Sequence, residues 1–580
     1  MWRLPVGAEL SDGETLFRVW APLHKDVILK ITDADAVNDD ARKYAMEQDE
    51  KGYFQITAKA EAGSLYQYIV NGVARPDPAS RYQPQGVHGK SCVVPSEYEW
   101  SDQDWKGLKD KPLIYELHVG AFADTFSGVE SKLEYLKELG VNMIELMPVA
   151  QYGGSRNWGY DGVLPYAVQH SYGGPNGLKR LVNNAHSAEL GVVLDVVYNH
   201  LGYEGNVLAD FAPYFSTRYR TPWGSAFNLD EAWCDEVRNY IVWNALYWVY
   251  EYHIDGLRLD AVHSIFDMSP KHVVRQISDA VHEASTKLGR RVWVIAESDL
   301  NDPKVVDRET YCGWGADAQW ADDLHHAIHA YVTGENNGYY ADFGGIDRLL
   351  KALSNPYVYD GVYSVYRRRF HGSKLDKFDP GEFVVYTQNH DQVGNRPRGE
   401  RLISLVGEQK ALAAAGLVLF SAYTPMIFMG EEYGESSPFL FFTDFSDPEI
   451  VAGLRQGRLK ELGADYYDPQ DMETFERSRL TWKLNNTVLE FYRRALSFRR
   501  SWLETGNAKP SVRAEGKAVL LSRNGTLMIA VFGSTRLSAE KGWRLEFASN
   551  NSFPPNLDAE FVVSEGCAVY MQNADNERGG

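Results

Sequence analysis

One rhythm fills most of the chain. From residue 113 to 434, short apolar runs alternate with stretches in which apolar residues recur every three or four positions. LIYELHV (113–119) precedes VESKLEYLKELG, VNMIELMP (141–148) follows, and NGLKRLVNNAHSAELG leads into VVLDVVYNH (192–200). The long EVRNYIVWNALYWVYEY leads into IDGLRLDAVH (254–263). VWVIAES (292–298), DAQW (317–320), FVVYTQNHD (383–391) and PMIFMGEEYG (425–434) complete the series. Uniformly apolar runs suit strands buried on both faces, and the three-to-four spacing between them suits helices. Eight such units predict an α/β chain closed into a (β/α)8 barrel. In that fold, polar residues just after each strand converge on one face, where such barrels keep their active sites.

The flanks alternate differently. TLFRVWAP, DVILKI, GYFQITA and LYQYIV, broken by Gly, Asp and Asn, predict an N-terminal β-sandwich over 1–95, and ARPDPASRYQPQGVHG (74–89) reads as a connection. The barrel with inserted loops is expected over 105–502, its last helix being NTVLEFYRRALSFRRSW (486–502). KAVLLSR, TLMIAVFG, WRLEFAS and FVVSEGCAVYMQ predict a C-terminal antiparallel β domain over 503–575, and the tail NADNERGG is expected to be mobile.

Composition narrows the partners. A net charge of −20 argues against nucleic acid and anionic membranes, which need clustered Lys and Arg. The cysteines Cys92, Cys234, Cys312 and Cys567 are scattered and suggest neither a disulfide framework nor a thiolate metal site. The opening residues lack a basic segment followed by an apolar one, and no apolar run approaches the ~20 residues of a membrane span. A soluble, cytoplasmic protein is expected. The 35 tyrosines include candidates for the aromatic faces that line sugar clefts.

Four strand ends carry reactive side chains. DVVYNH presents Asp195, Asn199 and His200; GLRLDAVH presents Arg258, Asp260 and His263; VIAES presents Glu297; QNHD presents Asn389, His390 and Asp391. Singly, an Asp after a strand is more often a helix cap, and Arg258 with Asp260 two residues away reads as an ion pair on one strand face. Together they place four carboxylates, an Arg and three histidines at one mouth. Paired carboxylates in a sugar-sized cleft point to glycoside hydrolysis. The charge of Arg258 is expected to keep Asp260 ionised as nucleophile, and the apolar run before Glu297 to favour its protonated form as acid/base. Asp391 is placed to hydrogen-bond sugar hydroxyls. A further cluster, QWADDLHHAIH (319–329), groups Asp322, Asp323, His325, His326 and His329 at helical spacing. It suits a metal site, a sugar-recognition rim, or a helix capped by Asp322, and the rim is the preferred reading.

DVVYNH, GLRLDAVH, the Glu after VIA, and QNHD resemble, in order, the four characteristic regions of the α-amylase family, glycoside hydrolase family 13. The resemblance implies a (β/α)8 barrel, an N-terminal sandwich of the glucan-binding-module type and a retaining double displacement. Asp260 is then the nucleophile, Glu297 the acid/base and Asp391 the transition-state stabiliser, while Arg258, His200 and His390 surround the reacting sugar and Tyr160 in NWGYDGV forms the platform beneath it. YELHVGAF, IELMPVAQYGGSRNWGYDGV, AQWADDLHHAIH, TQNHDQVGNRPRGERL and FMGEEYGESSPFLFFTDF resemble the branch of that family that releases trehalose from maltooligosyltrehalose. The similarity runs from about Leu16 to the end of the barrel. One departure is Ser298, where relatives tend to have Asn after the acid. The substrate-binding set implied is Tyr160, Asp195, His200, Arg258, His263, Asp322, Asp323, His326, Asn389, His390 and Arg396, with His263 and the acidic–histidine cluster on the trehalose side. No cofactor and no metal are implied. The functional partner implied is a synthase that makes maltooligosyltrehalose. A branching or debranching enzyme of the same family is the alternative, and a non-catalytic glucan-binding protein a more distant one.

Overall fold

The computed structural model describes residues 2–11, 13–33, 41–108, 111–504, 509–538, 542–557 and 559–572. The tail NADNERGG lies outside them. The eight apolar runs form a closed parallel barrel: β1 Ile114–Leu117, β2 Met143–Leu146, β3 Gly191–Val196, β4 Gly256–Leu259, β5 Trp293–Glu297, β6 Ala318–Trp320, β7 Phe383–Val385 and β8 Thr424–Phe428. Closure runs through β1 and β8, with Ile114 beside Met426.

The strands are apolar on both faces because both are covered. Outward residues such as Tyr115, Ile144, Val192, Leu257 and Val294 join the main core under the helices. Inward residues split into two levels. Ile114, Met143, Val193, Trp293, Ile295, Ala318, Val384 and Met426 fill the barrel with an apolar plug. Two residues further along, on the same faces, come Glu116, Glu145, Asp195, Arg258 and Glu297. Gly256 makes room for this plug: a Cβ there would meet Val193 Cγ2 at 3.1 Å and Trp293 Cβ at 3.2 Å. A side chain at that position would have to push Val193 or the start of β5 at Trp293 aside by a few tenths of an ångström.

Before the barrel lie two antiparallel sheets, one built on Glu14–Trp20 and Tyr53–Ala58, the other on Ile28–Thr32 and Leu65–Val70. After the helix Asn486–Glu504 comes a six-stranded antiparallel sheet whose inner strands Thr526–Val531 and Gly566–Gln572 pack on the barrel helix Glu408–Leu419. Among the described residues, no helix is long and apolar enough to cross a membrane.

The floor of the barrel is sealed by charge. His186, in the last turn of the helix Gly174–Ser187, lies 2.8 Å from Asp102 through Nδ1 and 2.8 Å from Asp255 through Nε2. Burial alone would lower the imidazole pKa, but Asp255 and Asp102 outweigh it and raise it. A histidine raised in the folded state stabilises fully below its unfolded value of about 6.5 and loses that contribution as pH climbs through the raised folded value. The thermal midpoint of the wild type is therefore expected to exceed that of His186→Gln most below pH ~6.5, and the gap to narrow on the alkaline side. Midpoints measured across pH check this; a gap that does not change with pH would mean that folding leaves the His186 pKa unshifted, and a gap that narrows toward acid would mean that His186 is neutral in the fold.

Candidate active site

Three carboxylates meet on one guanidinium. Arg258, buried in β4, places Nη1 2.7 Å from Asp195 Oδ2 and 2.8 Å from Asp260 Oδ1, and Nη2 2.8 Å from Glu297 Oε2. The cation lies 4.2 Å over the ring of Trp320, so it is held from below by an aromatic face and from the sides by charge. Asn199, beyond β3, donates to the other oxygen of Asp260 at 2.7 Å. Ala261, directly after Asp260, has a left-handed backbone with φ 42°, a conformation that strains a residue bearing a Cβ. That turn brings its N–H to 2.7 Å from Glu297 Oε2.

Glu297 therefore does not have the apolar setting expected from the run before it. It is the last residue of β5, one level above the apolar plug, where the barrel opens and the arginine stands. Asp195 sits deeper, accepting from Tyr160 Oη at 2.6 Å. Burial pushes its pKa to about 7, with Arg258 opposing and the charge of Asp260 adding to the rise.

His390 and Asp391 open the helix His390–Gly394, which the Asn389 carboxamide caps by accepting from the N–H groups of Asp391 and Gln392 at 2.9 and 3.1 Å. The His390 N–H donates to Glu116 at 3.1 Å and its Nδ1 lies 2.5 Å from the same carboxylate. Burial would lower the His390 pKa, but Glu116 outweighs it and raises it. Asp391 is raised by burial, with His390 opposing, and accepts from Asn395 at 2.6 Å. The Tyr160 ring stacks against His390, centroids 5.1 Å apart. Behind it Trp158 stacks on Phe439 at 5.3 Å and donates to the Leu440 carbonyl at 2.9 Å, so PFLFFTDF forms the wall supporting the NWGY loop. His200 Nδ1 lies 2.5 Å from Asn199 Oδ1, and burial lowers its pKa to about 4, which leaves it neutral.

The acidic–histidine segment is a helix from its first acid onward, Asp322–Thr333. The N-cap position is Ala321, with no side-chain cap bond, so Asp322 does not cap the helix. Instead Asp322 accepts from the Tyr386 hydroxyl, and burial pushes its pKa to about 7, opposed by that hydroxyl and reinforced by Glu297 and Asp391. Asp323 points the other way, into the loops behind the mouth, accepting from Val358 N–H at 2.6 Å and Asn301 at 2.7 Å. His325 spends Nδ1 on the Thr387 carbonyl at 2.6 Å and Nε2 on Tyr340 Oη at 3.1 Å. His329 lies 2.9 Å from Glu335. His326 is half-buried, its ring 5.0 Å from Tyr339 and 4.9 Å from Phe343. Among the described residues, no group of three or more His, Cys, Asp or Glu is arranged to hold a metal.

Arg396 gives both terminal nitrogens to Glu335, at 3.0 and 2.9 Å, and its Nε lies 3.3 Å from Glu400. It thereby ties the loop after the Asp322 helix to the Asp391 helix. His263 Nδ1 lies 3.8 Å from Asp299 Oδ1, beside the mouth. Ser298 is buried and its Oγ accepts from Leu300 N–H at 3.3 Å.

Glu116, Trp320 and Tyr386 belong to this constellation and were not among the residues singled out from sequence. Each lies at or beside the end of an apolar run, and Glu116 interrupts LIYEL as Glu145 interrupts NMIEL, at equivalent strand positions. That equivalence is the signal.

Comparison with known proteins adds a lineage to this geometry. The Alpha-amylase family model, described as alpha amylase, catalytic domain, matches residues 93–221. A malto-oligosyltrehalose trehalohydrolase of Saccharolobus solfataricus is 48% identical over 570 residues, spanning 97% of this chain and 99% of that one. One from Arthrobacter ramosus is 42% identical, covering 89% and 92%. Among solved structures, a candidate alpha amylase of Salmonella typhimurium superposes with a TM-score of 0.88 at 36% identity, covering 98% of this chain and all of that one.

Proposed function

This chain belongs to the malto-oligosyltrehalose trehalohydrolases of the α-amylase family, and from that premise we propose that the carboxylates gathered on Arg258 are its catalytic centre. The enzyme is a glycosidase that hydrolyses the α-1,4 bond between a maltooligosaccharide and its terminal trehalose. The observation that carries the site assignment is Arg258 itself, whose two arms hold Asp260 and Glu297 side by side at the open end of the barrel.

In this reading, Asp260 attacks the anomeric carbon of the sugar on Tyr160 and His390 while Glu297 delivers its proton to the departing trehalose oxygen. The C–O bond breaks, a glucosyl–Asp260 ester forms, and trehalose leaves. Glu297 then takes a proton from water as that water attacks the same carbon, and the glucan is released with its configuration retained. Arg258 and Asn199 hold Asp260 on both oxygens, which fixes its line of attack. Asp391 is assigned to the sugar hydroxyls. Asp322, facing Glu297 and Asp391 in charge, is assigned with His263 to the leaving-group side, where buried donors and acceptors left unpaired by maltose would reject it. Asn389, Asp323 and Arg396 support the rim through their bonds to other elements.

The domain division at 95 and 503, a cytoplasmic location and pairing with a maltooligosyltrehalose synthase belong to this proposal. Cysteines that are all free suit a reducing compartment, and the substrate must come from an enzyme that turns a maltooligosaccharide's reducing end into a 1,1 linkage. Chromatography of products tests the specificity. Maltooligosyltrehalose is expected to yield trehalose and a shortened glucan, and plain maltooligosaccharide to be cut far more slowly. Equal cleavage of both would leave a general amylase-like hydrolase.

A further inference from the structure

In the same layer of the barrel as Arg258 lies a carboxyl that the mechanism does not use. Glu145, on β2, is 1% exposed, and neither of its oxygens has a hydrogen-bond partner. It stands directly across the sheet register from Glu116, whose charge is already taken by His390. Its other charged neighbours are Arg258 on β4, Asp195 on β3 and Glu297 on β5. Arg258 has committed both terminal nitrogens to Asp195, Asp260 and Glu297. Among the described residues, Arg258 is the cation set against Glu145, and of its nitrogens Nε alone lacks a partner. Burial first, then the charge of Glu116, pushes its pKa well up, with Arg258 opposing.

Glu145 is not alone in lacking partners. Asp195 Oδ1, Arg258 Nε and Trp320 Nε1, from strands around the same interior, are also buried and unpaired. Acceptors and donors are both present among them. Buried polar atoms without partners cost free energy unless something bridges them, and enclosed water bonded to several such groups is the usual bridge.

We propose that Glu145 is a positioning residue: its buried carboxyl, through water enclosed with it inside the barrel, holds the sides of Arg258 and Asp195 turned away from the catalytic carboxylates. A fourth negative charge in this layer, beside Glu116, Asp195 and Glu297, would draw the guanidinium toward itself and slacken its grip on Asp260 and Glu297. An apolar side chain would leave Arg258 Nε and Asp195 Oδ1 with nothing to bridge them. A neutral carboxyl supplies a donor and an acceptor without either penalty. The proposal rests on the assignment of Asp260 and Glu297 made above.

The test compares Glu145→Gln with Glu145→Leu in the full-length enzyme on maltooligosyltrehalose, reading kcat, KM, thermal midpoint and the infrared difference spectrum. Gln is neutral and has the same shape, so Glu145→Gln is expected to keep kcat within about threefold of the wild type, because only small displacements follow. Glu145→Leu is expected to lose about tenfold or more in kcat with KM little changed, the cost of a misplaced reacting group. Its thermal midpoint should not fall, since an apolar residue replaces a buried polar one. The wild-type-minus-Gln spectrum should carry the C=O band of a protonated carboxyl at neutral pH. Equal losses in both variants, full kcat in Glu145→Leu, a fall in its midpoint that tracks the lost kcat, or carboxylate bands alone would each overturn the proposal. Failure of the catalytic assignment is separable, because it shows in Asp260 and Glu297 variants whatever Glu145 does.

Discussion

Asp260→Asn is expected to lower kcat by on the order of 10⁴-fold, the scale seen when a covalent nucleophile is removed from an otherwise intact site. The carboxamide has the same shape, can still meet Asn199, and removes one of three negative charges facing Arg258, so the fold should survive. What it cannot do is form the ester. Mass spectrometry of the acid-quenched wild type should therefore find a glycosyl adduct on the peptide containing Asp260, and find none in the variant. A variant keeping more than about a tenth of the wild-type kcat would remove Asp260 from the role, since a lost nucleophile costs far more than that. Because Asp260 is held on both oxygens before any substrate arrives, KM should move much less than kcat.

The three carboxylates and the eight strands were legible from one pattern, the apolar run ending in a charged or polar residue. That pattern exists because parallel barrel strands are buried on both faces until they emerge at the mouth, and the emergence is where a charge first becomes tolerable. Glu116 and Glu145 break it. They sit one position inside their strands, within otherwise apolar runs, and only the closed barrel shows that five inward positions at one level bear ionisable side chains. The setting of Glu297 departs from that of the run before it for a related reason. The residues before it along the chain are apolar, but its neighbours in space are an arginine and an amide N–H from β4 and the turn after it. The same limit applies to Asp323 and Arg396. Their partners in the 357–359 loop and at Glu335 are set by tertiary contacts that residue spacing does not encode, whereas Asn389 caps its own helix in a local Asn–Gln capping box. In QWADDLHHAIH the helix was legible and the orientations were not: one aspartate faces the mouth, the next faces the scaffold, and two histidines bond the protein itself.

Glu297→Gln is expected to cost as much as the loss of the nucleophile on the natural substrate and far less on an activated one. Trehalose departs as an alkoxide unless a proton reaches its oxygen during bond cleavage, and general acid catalysis alone contributes about 10²–10⁴-fold. An aryl α-maltooligoside leaves as a stabilised phenolate and needs no such proton. Its first step should therefore run near the wild-type rate in Glu297→Gln. The second step should then stall, because water attacking the Asp260 ester needs the same residue as base. The predicted signature is a burst of phenol equal to the enzyme present, followed by slow turnover that added azide accelerates, since azide attacks without giving up a proton. The product should be an α-glycosyl azide if Asp260 forms the ester on the opposite face. Gln can still accept from the Ala261 N–H that now meets Glu297 Oε2 at 2.7 Å, so the side chain should stay in place and the loss should report proton transfer rather than collapse. Equal loss on both substrates, with neither burst nor azide rescue, would show that Glu297 shapes the site without carrying the proton, and the pairing of roles across Arg258 would have to be redrawn.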